Sequence, residues 1–307
     1  MTQTLTELLN NRVLAEEIDE LGHLSVPFYE ARAVAACRLL LHQLGCDLQA
    51  YADEGVVLCL TSAYLRNIRE QFLDAPLTVR GGVLSSAPEK LRFYQELHNS
   101  ASKDLSALFI QDYELRRIVS GQVVQFEQYL VSHAHNVQID LPDYGRPRTL
   151  DVEKAPRELT LEQVTARGLA ATCTRTITAE ECDERGVFVA ERFSSLPYVG
   201  FDADEHTLEW VFQTSDGLRL GLADLESRSV LYQLPLVGHQ IQVFSANVMI
   251  GPKVFQRTHW VFDVSAENLA VIASTVSIPL DLDARKSVPI PEEMLSRLQA
   301  QYHPDLG

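Results

Sequence analysis

The alternation of apolar and polar residues predicts strands in the first half of the chain. Residues 90–97 alternate with a period of two, which is the spacing of a strand that buries one face. Apolar runs bounded by turn residues mark further strands at Val56 to Leu60, Leu77 to Val79 and Leu105 to Val119. Because short polar turns join these segments, we expect an antiparallel sheet.

A different spacing precedes these strands and predicts a long helix over Phe28 to Leu44. Its apolar residues lie close to one helical stripe formed by Ala31, Ala35, Leu39 and Leu41. Pro27 suits the first turn of a helix, and Gly45 stands where a helix is capped. The first half is therefore expected to be an α+β unit in which one sheet wraps one helix.

The second half repeats this order of segments. Strands are predicted at Leu169 to Ile177, Leu218 to Leu222, Val230 to Leu234, Gln240 to Met249, Val254 to Phe262 and Leu269 to Ile278. The helix of this half would contain Pro197, and an interior proline costs about 3 kcal/mol, so we predict a short or broken helix. A terminal helix is predicted from Pro291 to Gln301.

A repeat in the sequence accounts for this similarity. Residues 15–22 read AEEIDELG and residues 179–186 read AEECDERG, so that Asp19 corresponds to Asp183, 164 residues later. The same separation relates three further identical pairs: Val79 and Val243, Pro88 and Pro252, and Leu105 and Leu269. A constant separation over so long a stretch predicts a duplicated domain. Two copies are too few for a solenoid, so we expect two equivalent halves that form an internal pseudo-dimer.

The repeat also sets the expected domain boundaries. We predict an N-terminal repeat over residues 1–122 and a C-terminal repeat over residues 161–307. The segment 123–160 between them holds three prolines and several charges, which is typical of a crossover linker. His133 and His135 fall in this segment without a third metal ligand, so they are expected to be exposed and structureless, and no metal site is predicted.

Composition limits the classes of function. The content of 46% hydrophobic and 22% charged residues is typical of a globular protein, and the net charge of −16 argues against nucleic acid as a partner. No run reaches 18 continuous apolar residues, and the start of the chain lacks the pattern of a signal peptide. Five cysteines without metal spacing suit a reducing compartment. We therefore expect a cytoplasmic protein without a membrane segment.

The loop before the first helix carries a family resemblance. The run Asp19-Glu20-Leu21-Gly22-His23-Leu24, followed by Phe28-Tyr29 and an apolar helix, resembles the D-x-x-G-H-x-N-x-x-Y signature of the 4-hydroxybenzoyl-CoA thioesterase-like hotdog family. The stretch from Phe72 to Val79 resembles that family's entry into a strand. Across both halves the chain is similar to double-hotdog acyl-CoA thioesterases. The resemblance implies a tandem hotdog fold, with one long helix wrapped by an antiparallel sheet in each repeat.

The resemblance also implies a reaction and the residues that perform it. Asp19 and Asp183 become candidate catalytic residues, each a nucleophile or general base toward an acyl-CoA thioester. Backbone N–H groups at the start of the following helix would stabilise the oxyanion. The candidate substrate-binding residues are Gly22, His23, Tyr29, Gly186 and Arg66. Coenzyme A enters as part of the substrate, no other cofactor is implied, and a homodimer of four hotdog units is expected.

Each of these residues also has a structural interpretation. Asp19 can cap the helix or close a turn before Gly22, and His23 can orient Asp19, bind substrate or simply pack. Gly22 and Gly186 can serve to permit positive φ. Tyr29 can belong to the core, and the basic residues can be solvated strand positions, namely Arg66, Arg69, Arg80 and Arg92.

The second loop departs from the family pattern. Val187 replaces the histidine that follows the glycine, and Phe193 stands for the tyrosine, while Ser25 in the first loop stands where the family often has asparagine. One alternative to hydrolysis is therefore a protein that binds acyl thioesters without turning them over. A hydratase is the other alternative, but the D-x-N-P-x-H segment expected of it does not occur in the sequence.

Overall fold

The chain forms two compact units. The computed structural model describes residues 4–19, 21–169, 171–189, 211–215 and 217–307. One unit is Met1–Pro147 and the other is Arg148–Gly307. The boundaries expected at residues 122 and 160 are finer than this division and stay predictions.

Unit 1 contains a five-stranded antiparallel sheet in the order β1-β3-β4-β5-β2, with the short β6 paired to β5. Two short 3₁₀ turns, at Ala15–Glu17 and Asp143–Gly145, accompany these elements. The strands and helices are β1 (Thr6–Arg12), α1 (Val26–Gln43), α2 (Leu48–Asp53), β2 (Val56–Asn67), β3 (Pro76–Ser86), β4 (Leu91–Asn99), β5 (Leu105–Arg117), β6 (Val123–Val124) and α3 (Gln128–Asn136).

Unit 2 contains an antiparallel sheet in the order β7-β10-β11-β12-β9, with β8 paired to β9 and β13 paired to β12. Its 3₁₀ turns lie at Ala179–Glu181 and Pro304–Leu306. The strands and helices are α4 (Leu161–Ala166), β7 (Ala171–Thr176), β8 (Val211–Gln213), β9 (Arg219–Leu231), β10 (Gln240–Ile250), β11 (Phe255–Asp263), β12 (Asn268–Asp281), β13 (Lys286–Ser287) and α5 (Glu292–Ala300).

The two units share one order of strands along the chain and across the sheet. Strands β3 and β10, strands β4 and β11, and helices α3 and α5 begin and end at positions 164 residues apart. The spacing found in the sequence thus extends to the architecture of the described residues. The short or broken helix predicted around Pro197 falls within residues 190–210, outside the described part of the chain.

One prediction for unit 2 is wrong. The sequence predicts two strands, at Leu218 to Leu222 and at Val230 to Leu234, but β9 runs continuously between these segments. The polar residues in its middle are not turn residues. Glu226 is buried and accepts hydrogen bonds from the N–H groups of residues 148–150, and Arg228 donates to the carbonyls of residues 151, 152 and 154. Because these hydrogen bonds pair the polar groups of Glu226 and Arg228, the strand continues without a break at these two residues.

Helix α1 begins two residues before the predicted start, Phe28, and ends one residue before the predicted end, Leu44. Pro27 lies in its first turn, and Gly45 follows its last residues with φ of 90°, a conformation that glycine adopts without steric cost. The helix packs on the sheet through Tyr29, Ala33 and Ala36, which join a cluster with residues from β2 to β5. Each large apolar side chain buried in this way contributes about 1.5–3 kcal/mol.

The buried face of α1 differs from the predicted stripe. Leu41 is fully buried as expected, but Ala31 and Ala35 are only half-buried and Leu39 is 39% exposed. The helix instead buries two polar residues, Glu30 and Arg32, on its inner side. A prediction from hydropathy places charged residues such as these at the surface of a helix. The predicted apolar stripe therefore lies on a different side of α1 from the face that is buried.

Strand β4 is buried on both faces rather than on one. Gln95 donates to the carbonyl of Ala33 on the helix side, while Tyr94 and Glu96 face the opposite side. There the hydroxyl of Tyr144 donates to Oε1 of Glu96 at 2.8 Å, so residues of the predicted linker cover this face. That contact explains why the period-two pattern underestimates the burial of β4.

The predicted linker also contains helix α3. His133 and His135 lie on this helix, and Nδ1 of His133 is 3.1 Å from the carbonyl oxygen of Leu44. The expectation that these two histidines are structureless is therefore wrong. Helix α3 instead contacts the end of α1 within unit 1.

We predict that Gly145→Ala destabilises unit 1. A methyl group at this position would lie 2.8 Å from Oη and 3.0 Å from Cε2 of Tyr94, whose ring is buried and whose hydroxyl donates to Glu96. Overpacking against a rigid ring costs about 1–3 kcal/mol. Urea denaturation measures the loss of unfolding free energy. Gly307→Ala is the control, since the nearest atom to its methyl group, Cβ of Val248, would lie at an ordinary contact distance of 3.4 Å; an equal loss in both variants would contradict the explanation.

Candidate active site

Asp19 closes a tight turn between the first 3₁₀ turn and α1. Its Oδ1 accepts hydrogen bonds from the N–H groups of Leu21 at 2.9 Å and His23 at 3.3 Å. Its own N–H donates to the carbonyl of His23, and the N–H of Gly22 donates to the carbonyl of Asp19. Gly22 has φ of 82°, which the turn requires. The turn therefore presents the second carboxylate oxygen, Oδ2, away from these backbone groups.

His23 lies between two carboxylates. Its Nδ1 is 2.9 Å from Oδ2 of Asp19, and its Nε2 is 3.7 Å from Oε1 of Glu70. An ionised carboxylate only accepts hydrogen bonds, so Nδ1 carries a proton in this contact. The imidazole is about four-fifths buried, which limits its possible orientations. The structure thus brings His23 and Asp19 together and adds Glu70, which sequence reasoning did not identify.

Tyr29 lies beside the same segment but within the core. It is buried, and its hydroxyl is 3.5 Å from the carbonyl oxygen of Arg69, next to Glu70. Burial raises the pKa of Tyr29 to about 12, so the hydroxyl stays protonated at neutral pH. The N–H of Leu24 donates to the carbonyl of Gln71 at 2.7 Å, so the Asp19 turn and residues 69–71 are direct neighbours.

Arg66 lies away from this turn. Leu65 packs with α1, and side chains alternate along a strand, so Arg66 points to the opposite face of the sheet. Arg66 is 6% exposed, and its guanidinium donates to the backbone carbonyls of Tyr144 and Arg146. Its predicted role in binding coenzyme A stays a prediction that the geometry does not favour. The other candidate arginines face carboxylates: Arg69 with Asp104, Arg80 with Glu7 and Arg92 with Asp112.

Asp183 closes the equivalent turn in unit 2 with a different environment. Its Oδ1 accepts from the N–H groups of Arg185 and Val187 at 2.9 and 3.1 Å, and Gly186 has φ of 74°. Its Oδ2, however, binds the side chain of Arg185 through Nε and Nη2. Burial alone would raise the pKa of Asp183, but the hydrogen bonds from Arg185 and Val187 outweigh it and hold the pKa below its usual range.

Two further residues at the first turn escaped sequence reasoning. Glu17 and Arg32 form a buried ion pair of 2.6 Å that joins the 3₁₀ turn to α1. A signal for Glu17 was present, because Glu17 and Glu181 are among the six identical positions of the repeated octapeptide. Glu70 has no such signal, since it lies in a loop far from the motif and Leu234 stands at the equivalent position of unit 2.

Comparisons with known structures support the architecture. A protein assigned as an oleoyl thioesterase from Lactobacillus plantarum matches 90% of this chain and 96% of its own, with a TM-score of 0.66 and 11% identity. An acyl-ACP thioesterase from Bacteroides thetaiotaomicron matches 88% and 96%, with a TM-score of 0.61 and 9% identity. The 12:0-ACP thioesterase from Umbellularia californica matches 90% and 94%, with a TM-score of 0.67 and 7% identity.

At these identities the likeness concerns the fold. The chain has the antiparallel architecture of hotdog-type thioesterases. No protein-family model matches the sequence, and no curated protein matches it either. The narrower resemblance to the 4-hydroxybenzoyl-CoA thioesterase-like group stays a prediction. Among the described residues, no helix has the length and apolar character needed to span a membrane.

We predict that Arg185→Leu raises the pKa of Asp183. The variant removes the guanidinium that binds Oδ2 and installs the residue type found at Leu21, the equivalent position of unit 1. Without this cation, burial is opposed only by backbone N–H donors. Carboxyl ¹³C NMR titration measures the change. Arg219→Leu, which removes a partner of Asp283 instead, should leave the Asp183 titration unchanged; an unshifted Asp183 in Arg185→Leu would disprove the assignment.

Proposed function

We propose that this protein hydrolyses acyl thioesters and that Asp19 is the working carboxylate. The observation that carries the proposal is the pairing of Oδ2 of Asp19 with Nδ1 of His23, in a turn that leads directly into α1. The likeness to thioesterases in fold supports the reaction class. A thioester needs little more than an oriented carboxylate and an oxyanion donor, because its carbonyl is electrophilic and its thiolate leaves readily.

In this proposal each unit contains one hotdog repeat, residues 1–122 in unit 1 and residues 161–307 in unit 2, so that the chain is a tandem double hotdog. The equal strand orders and the separation of 164 residues support that architecture. Each repeat would place its aspartate turn ahead of the central helix. For unit 1 this arrangement is α1 following the Asp19 turn. For unit 2 the proposed helix falls within residues 190–210, outside the described part of the chain.

Two routes start from the Asp19 carboxylate. As a general base, Asp19 removes a proton from water, the hydroxide attacks the carbonyl carbon, the C–S bond breaks, and the thiolate takes up a proton. As a nucleophile, Oδ2 attacks the same carbon, the thiolate leaves, and water then hydrolyses the acyl-Asp anhydride. In both routes the hydrogen bonds to Oδ1 fix the carboxylate and His23 orients Oδ2, so that His23 is a positioning residue.

The start of α1 offers one backbone donor for the oxyanion. The N–H groups of Leu24, Ser25 and Phe28 donate to the carbonyls of Gln71, Glu17 and Ser25, and Pro27 has no N–H. The N–H of Val26 makes no hydrogen bond within the ranges that the structure describes. We assign Val26 as the oxyanion donor, since the helix dipole favours negative charge at this end.

The second turn is proposed to contribute little to turnover. Arg185 occupies Oδ2 of Asp183, the oxygen that His23 orients in unit 1, and it stabilises the carboxylate as an anion. A more stable anion is a poorer base and nucleophile. Val187 adds no titratable group in place of His23. Asp183 therefore remains a candidate that ranks below Asp19.

The substrate is proposed to be an acyl-CoA held near Gly22, His23 and Tyr29. Two of the similar structures are acyl-ACP thioesterases by their names, so coenzyme A and acyl carrier protein should be compared as carriers of the acyl group. A panel of acyl-CoA and acyl-ACP thioesters of increasing chain length identifies both the carrier and the acyl group. Binding of these thioesters without thiol release would instead favour the alternative of a binding protein.

We predict that Asp19→Asn lowers kcat by a factor on the order of 10² or more. Asparagine keeps an acceptor for the N–H groups of Leu21 and His23, so the turn and the stability should persist while the charge is lost. A thiol-release assay measures the rate. Asp183→Asn is the matched control and should cost much less. Release by Asp19→Asn at the wild-type rate would show that the carboxylate is only structural.

We also propose that two chains associate to give an assembly of four hotdog units. Light scattering at micromolar concentration should then report about twice the mass of the 34.4 kDa chain. A mass equal to one chain over the whole concentration range would exclude this assembly.

A further inference from the structure

We propose that Glu17 is a positioning residue that holds the Asp19 turn against α1, a role that rests on the function proposed above. Glu17 lies two residues before Asp19 and is 9% exposed. Its Oε2 accepts hydrogen bonds from the N–H of Leu14 at 2.9 Å and from Nη2 of Arg32 at 2.6 Å. Its backbone carbonyl accepts from the N–H of Ser25, the N-cap residue directly before α1. Glu17 thus lies at the start of the loop that contains Asp19 and His23, and its carbonyl binds the end of that loop.

Arg32 supplies the connection to the helix. Its side chain is 5% exposed, and the guanidinium donates through Nε to Asn11, through Nη1 to the carbonyl of Phe28, and through Nη2 to the carbonyl of Arg12. Of these acceptors, Asn11 and Arg12 lie at the end of β1 and Phe28 lies on α1, while Glu17 lies on the 3₁₀ turn. A planar guanidinium can satisfy them only in one position, so the ion pair fixes the loop relative to the first turn of α1.

The position of the loop relative to α1 matters for catalysis, because the attacking carboxylate and the oxyanion donor must both reach the carbonyl group of one thioester. The carboxylate of Asp19 lies on the loop, whereas the proposed oxyanion donor, the N–H of Val26, lies on α1. A misplacement of about 1 Å between such groups costs on the order of 10²-fold in rate. Glu17 acts through this geometry and not through contact with the substrate.

Unit 2 contains a matched copy of this ion pair. Glu181 accepts from the N–H of Thr178 at 2.9 Å and from Nη1 of Arg175 at 2.8 Å, and its carbonyl accepts from the N–H of Val189. Arg175 lies on β7, so the cation reaches the equivalent glutamate from a strand rather than from a helix. Glu181→Gln therefore removes the same kind of contact next to the turn that is proposed to contribute little.

The test compares Glu17→Gln with Glu181→Gln in the full chain. Glutamine keeps the shape and an acceptor for the backbone N–H but loses the charge that binds the arginine. For Glu17→Gln we expect kcat to fall about tenfold or more with KM within about twofold, and the pH profile of kcat to change. For Glu181→Gln we expect kcat, KM and the profile of the wild type, although both variants lower Tm.

A fall in Tm without a change in kcat or its pH profile in Glu17→Gln would overturn the proposal, because it would leave Glu17 a purely structural role. Arg32→Lys is the second variant should Glu17→Gln fail to fold. Lysine keeps the positive charge but lacks the planar set of N–H donors of the guanidinium, so we expect kcat to fall severalfold at constant KM. Wild-type kinetics in a folded Arg32→Lys would also overturn the proposal.

A measurement independent of turnover separates this proposal from the proposed function. The ¹⁵N shifts of the His23 ring report its contact with Asp19. If the wild type releases no thiol from any acyl-CoA or acyl-ACP, the proposed function fails. The positioning role of Glu17 is then supported by altered His23 shifts in Glu17→Gln, with Glu181→Gln as the unchanged control, and it is refuted by unaltered ones.

Discussion

The two hydrogen bonds from backbone N–H groups to Oδ1 of Asp19 are the constraint on which the candidate site depends. They fix the plane of the carboxylate, so that Oδ2 meets His23 instead of solvent. They also set the path of the backbone from the 3₁₀ turn into α1. A charged acceptor that receives two N–H donors makes stronger hydrogen bonds than a neutral one. These bonds therefore stabilise the tight turn that contains Gly22.

The second unit shows that these two hydrogen bonds hold the turn together whichever side chain binds the other carboxylate oxygen. Asp183 makes the same pair of backbone contacts, yet Arg185 binds the oxygen that His23 orients in unit 1. The turn therefore persists when its chemistry changes. This explains how one residue can satisfy both of the interpretations that the sequence allowed, the closing of a turn and catalysis, without contradiction between them.

The sequence predicted those features that local spacing determines. Asp19 and His23 are four residues apart in a turn, and their contact follows from that spacing, as does the place of Gly22. Features that depend on long-range burial were not predictable in this way. Leu39 was predicted on the buried stripe of α1, because nothing in the local pattern shows that Arg32 finds Glu17 as a buried partner. The approach of Glu70 to His23 depends on how β2 ends relative to the loop, which no periodicity encodes.

The presence of two aspartate turns in one chain has a consequence for how such a site can change. In a protein built from identical single-repeat subunits, every substitution appears in each copy of the aspartate turn at once. In this chain the residues equivalent to Leu21 and His23 are encoded separately, as Arg185 and Val187. The second turn could therefore acquire an arginine that pairs with its aspartate while the first turn stayed unaltered. Two turns within one chain are thus free to change independently of one another.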